Sequence, residues 1–164
     1  MLHTTLIALH ALSGVIAFLT GCLAVQRRSY FRVYFWSLAS LVLSLAAAIA
    51  VSWTGLGTPM RALFVAFVAL GGYMVWRAVQ ARRILLTSLA HPTSRYLDHL
   101  GFTLVALFDG FAVIAVFDLG APGWLAAVVG VAVAGGGHVA IRTLKSRLAP
   151  RPPAEASASG YVRP

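Results

Sequence analysis

The chain has 164 residues, of which 60% are hydrophobic and 10% charged, with a mean hydropathy of +0.86. That composition excludes an ordinary soluble domain and points to a polytopic, all-α membrane protein. The net charge of +9, from 13 Lys plus Arg against 4 Asp plus Glu, falls in short clusters between apolar runs and forms no basic stripe with interleaved aromatics. The bilayer, rather than nucleic acid, is therefore the expected partner. The single cysteine, Cys22, excludes an internal disulfide and a Cys-based zinc site.

Five spans follow in chain order. The first covers 4–25; no Lys or Arg precedes it and no small-x-small cleavage pattern follows, so it reads as a retained span and not a signal peptide. Arg27, Arg28 and Arg32 fill the next loop. Span two covers 33–53, and span three starts at Thr58-Pro59, a capping residue followed by a proline in the first turn, and reaches Trp76. The stretch Arg77 to Arg95 reads as a helical extension lying along the membrane surface, broken at His91-Pro92. Span four covers 97–119, Gly120-Ala121-Pro122 turns the chain, and span five covers 122–141. Residues 1–148 thus form one transmembrane domain, and 149–164, rich in Pro, Ala and Ser, form an expected disordered cytoplasmic tail.

The basic residues orient this arrangement. With five spans, twelve of the 13 share a side and only Arg61 does not, which predicts an outside N-terminus and a cytoplasmic C-terminus in an inner membrane. Small residues recur on spans one, four and five, so these are the expected inner bundle, with span two facing lipid. The same stripes fit a homo-oligomer or a subunit of a larger membrane complex with a structural or assembly role.

Two polar layers are candidates for function. Asp109 lies 12 residues past Leu97, about 18 Å from the inner edge, near the midplane of a bilayer core about 30 Å thick. His10 comes at about 24 Å by the same count, so the two could meet as a pair that binds a small ligand, a proton or a cofactor. The competing reading is interhelical hydrogen bonding, a packing contribution of about 1 kcal/mol. Nearer the inner face, His99 and His138 fall at similar depths on adjacent spans. They could supply the two axial nitrogens of a b-type haem in an electron-transfer subunit, or ligands to a transition metal. Against that, interfacial histidines commonly contact only headgroups or water. No Ser-His-Asp or Ser-Lys arrangement and no phosphate-binding glycine loop is present, so no bond-making chemistry is expected.

Three short motifs carry a family resemblance: His10-Ala11-Leu12-Ser13-Gly14 with Gly21 seven residues on, Arg32-Val33-Tyr34 after a basic loop, and His99-Leu100-Gly101-Phe102 opening span four. In these the chain resembles a group of small bacterial inner-membrane proteins known only as a domain of unknown function, over about Leu2 to Leu148. The resemblance implies a multi-helix membrane fold, no established activity, and interest in His10 and His99. Members carry a His-Arg pair and a glycine ahead of the Arg-Val-aromatic unit, where this chain has Arg27, Arg28 and Phe31.

Overall fold

The structure, a computed structural model, describes residues 2–87 and 94–148. These form five helices, α1 (Leu2–Gln26), α2 (Phe31–Ser52), α3 (Thr58–Thr87), α4 (Ser94–Asp118) and α5 (Gly123–Leu148), with no strand among the described residues. Each is long and apolar enough to cross a membrane. The linkers are tight. A 3₁₀ turn, Arg28–Tyr30, joins α1 to α2, a second, Trp53–Gly55, follows α2, and Gly120 takes a positive φ of 75° between α4 and α5. The His91-Pro92 break and the tail from Ala149 lie outside the described residues.

The extension after span three differs from the expectation. It is helical, as expected, but it does not bend away along a surface: α3 is one helix of 30 residues, about 45 Å long. Arg77 to Thr87 contains no Gly or Pro and is made largely of good helix formers, so nothing stops the helix at Trp76. Ala78 and Ala81 on this extension are fully buried, which holds it against the bundle.

The core sits at the basic end of α1 to α4. Tyr34 and Tyr96, each buried to within 1% of complete, are its largest members, packed around Phe31 at ring-centroid distances of 5.5 and 6.1 Å. Buried tyrosines need partners for their hydroxyls. Tyr96 donates to the Ala24 carbonyl at 2.9 Å; the Thr103 hydroxyl donates to Leu100, so Tyr34 donates to Thr103. One layer of hydrogen bonds thereby ties α1 and α2 to α4.

The expected inner bundle is also rearranged. α2 supplies Phe31, Tyr34, Leu38, Leu41, Ser44 and Ala48 to the interior, while α5 packs on α4 at the edge. The reason is the distribution of size around each helix. α2 gathers its bulky and small buried groups on one face at three- and four-residue spacing, whereas the glycines of α5 are split. Gly130 and Gly137 face Asp109 and Val105 of α4, but Gly135 and Gly136 face open space.

Candidate functional site

α3 and α5 both pack on α4 and barely meet each other, so α4 floors a cleft between them. Its volume is about 740 Å³, within the range of small-molecule sites of about 300–1,000 Å³. From α4 the cleft takes Asp98, Phe102, Val105, Ala106 and Asp109; from α5 it takes Ala134, His138, Ile141, Arg142 and Lys145; α3 adds Leu70 and Arg77. Positions 98, 102, 105 and 109 recur at four- and three-residue spacing, as do 134, 138, 141 and 145, so each helix turns one continuous stripe inward.

The mouth of the cleft is ionic. Lys145 Nζ donates to both oxygens of Asp98, at 2.9 and 2.8 Å. Both side chains are about a third or more exposed (32% and 44%), so the pair contributes at most about 1 kcal/mol and can open readily. Arg77 Nη2 donates to the Asp98 carbonyl at 2.7 Å, and its guanidinium lies 5.0 Å from the Phe102 ring centroid. Its Nε is buried with no hydrogen-bond partner. Arg142 is exposed at the same level. Three cations thus face one carboxylate at the mouth.

Further in, the walls are apolar except for His138, as far as Asp109. Its Oδ1 is buried without a hydrogen-bond partner, beside Gly130, where an added Cβ would stand 3.4 Å away. Gly130 offers it no side chain, and the close approach of α5 there encloses this oxygen.

His10 turns elsewhere. Its Nδ1 donates to the Leu41 carbonyl of α2 at 2.9 Å, one turn from a Ser13–Ser40 hydroxyl contact at 3.1 Å. The face of α4 that meets α1 carries Phe108 and Phe111, stacked and edge-on to Phe18 at 6.0 and 6.5 Å. Asp109 lies on the neighbouring face toward α5, and no hydrogen bond or ion pair joins it to His10. The two inner-face histidines also part company. His138 is exposed and lines the cleft, whereas His99 does not line it and keeps its Nδ1 buried with no hydrogen-bond partner. No group of three His, Cys, Asp or Glu that could hold a metal ion is found among the described residues.

Sequence reasoning singled out Asp109 and His138, but in two separate sites paired with His10 and His99, and it missed the mouth residues Arg77, Asp98, Arg142 and Lys145 as parts of one site. The signal was present: the two stripes on α4 and α5 are periodic, and Lys145 lies on the continuation of α5 beyond Ile141. Comparison of the chain with protein-family models, with curated proteins and with solved structures finds no match in any of the three.

Proposed function

We propose that the chain is a multi-pass protein of a bacterial inner membrane, N-terminus outside and C-terminus cytoplasmic, that binds an anionic amphiphile in the cleft between α3, α4 and α5. One observation carries this reading: Arg77, Arg142 and Lys145 converge with a single carboxylate, Asp98, at the mouth of a cleft whose walls are apolar apart from His138 and Asp109. An acidic head fits the mouth and an aliphatic body fits Phe102, Val105, Ala106 and Ala134. Cationic pockets between transmembrane helices near the cytoplasmic face are suited to acidic headgroups. The excess of basic residues on one side supports the orientation.

The test is binding of laurate, as a probe, to the protein in phosphatidylcholine nanodiscs, with empty discs as the partition control. Saturable binding at about one per chain is expected, weakened about tenfold or more by the double change Arg142→Gln with Lys145→Gln, since each removes a charge-assisted contact. Arg83→Gln, an exposed cation off the cleft, leaves it unchanged. Neutral lauryl alcohol binding as well as laurate would overturn the reading.

A second reading, a structural or assembly subunit, is favoured by the outer face of α5, where Gly135 and Gly136 meet nothing and Val131 and Val139 are exposed. It predicts a stoichiometric partner subunit after gentle solubilisation.

A further inference from the structure

The apolar walls explain an aliphatic body but not the acid at their far end. A simple acyl chain reaching Asp109 would bury its methyl end against a carboxyl that already lacks a hydrogen-bond partner. Such a buried acceptor costs about 1–3 kcal/mol unless something donates to it. Among the described residues nothing does. Arg77, Arg142 and Lys145 lie toward the mouth, His138 on α5 makes no hydrogen bond to it, and Gly130 contributes no side chain. The donor that completes the site has to arrive with the ligand.

We propose that Asp109 makes the cleft selective for an anionic amphiphile bearing a hydroxyl at the opposite end, about 16 Å from its acidic head, the axial separation of Asp98 and Asp109 on α4. The inference rests on the amphiphile reading above and deepens it. The hydroxyl donates its proton to the Asp109 carboxyl where it lines the cleft, through the oxygen that is not enclosed, a group that accepts a hydrogen bond whether or not it is ionised. The acid head meets Arg142 and, as the Asp98 pair opens, Lys145. Both ends of the ligand are then held, and its length is read against a rigid helix. A site that hydrogen-bonds a substrate hydroxyl discriminates strongly against the analogue lacking it, because its own polar group is otherwise left unpaired.

The experiment is a competition between laurate and ω-hydroxylaurate, which spans this distance when extended, on the full chain in phosphatidylcholine nanodiscs, each value corrected for partition into empty discs. Wild-type protein is expected to favour ω-hydroxylaurate by about 10- to 100-fold, the ratio that a hydrogen bond to a charged group supplies. Asp109→Leu is expected to abolish or reverse that preference while retaining laurate. Asp109→Asn, which keeps an acceptor oxygen in the same volume, is expected to retain part of it and guards against a folding defect in the leucine variant. Equal affinity of the wild type for the two acids overturns the role of Asp109 and leaves the amphiphile reading standing. A preference that survives Asp109→Leu does the same. Failure of the wild type to bind either acid overturns the amphiphile reading itself.

Discussion

Asp109 and Tyr34 show two ways of placing a polar group in an apolar helix bundle. Tyr34 is buried and satisfied, its hydroxyl donating to Thr103. Asp109 is set beside a glycine and left with an unpartnered oxygen. Their substitutions should therefore move stability in opposite directions. Tyr34→Phe removes the donor to Thr103 Oγ1 and should lower stability by about 1 kcal/mol. Asp109→Leu removes an unsatisfied acceptor from an apolar site and should raise it, by about 1–3 kcal/mol. Equilibrium unfolding in mixed micelles measures both. A destabilised Asp109→Leu would mean that the carboxyl serves the packing of α4 and not a ligand. The prominence of Asp109 follows from composition alone, since an acid near the middle of an apolar run stands out against its neighbours. That its neighbour is Gly130 and not His10 follows from the rotation of α4, which turns Phe108 and Phe111 to α1 and position 109 to α5.

At the scale of elements, the contact between α4 and α5 decides whether there is a cleft. A Cβ at Gly137 would overlap the side chain of Val105, a β-branched residue with one strongly preferred rotamer in a helix, so Gly137→Ala should cost about 1–3 kcal/mol and loosen α5. Gly136→Ala points into open space and should be neutral or stabilising by up to about 1 kcal/mol, because alanine is the better helix former. The pair of variants, compared by thermal unfolding with laurate binding as the second readout, separates a specific close approach from a general dislike of side chains on this helix. Equal effects would mean that the two helices pack in another rotation. The existence of the five helices was legible in their hydropathy, and the start of α3 in Thr58-Pro59. The helical extension past Trp76 was legible too, but its burial against the bundle and the continuation of α5 past Ile141 were not. Ala78, Ala81, Arg77 and Lys145 are held there by partners on other helices, and hydropathy has no access to those partners.

For the whole molecule, charge and packing coincide. The hydrogen-bonded tyrosine layer, the mouth of the cleft and nearly all of the described basic residues lie at one end, while Arg61 lies at the other, 5.3 Å from the Trp53 ring centroid. The proposed orientation makes that end cytoplasmic. On a Cys22→Ser background, a cysteine introduced at Gly55 should react with a membrane-impermeant maleimide added to intact cells, and one introduced at Ser29 should react only after permeabilisation. The reverse pattern would invert the orientation and place the mouth of the cleft on the outer face.

Composition and hydropathy determined by themselves that the chain forms five helices long and apolar enough to cross a membrane and where its polar exceptions fall, because transfer into a bilayer acts on each segment nearly independently. Which exceptions share a site was decided only by tertiary structure. Helix rotation and the close approaches at Gly130 and Gly137 depend on the shapes of facing side chains far apart in the chain, and these turn Asp109 and His138 into one cleft, give His10 to α2, and leave His99 outside it.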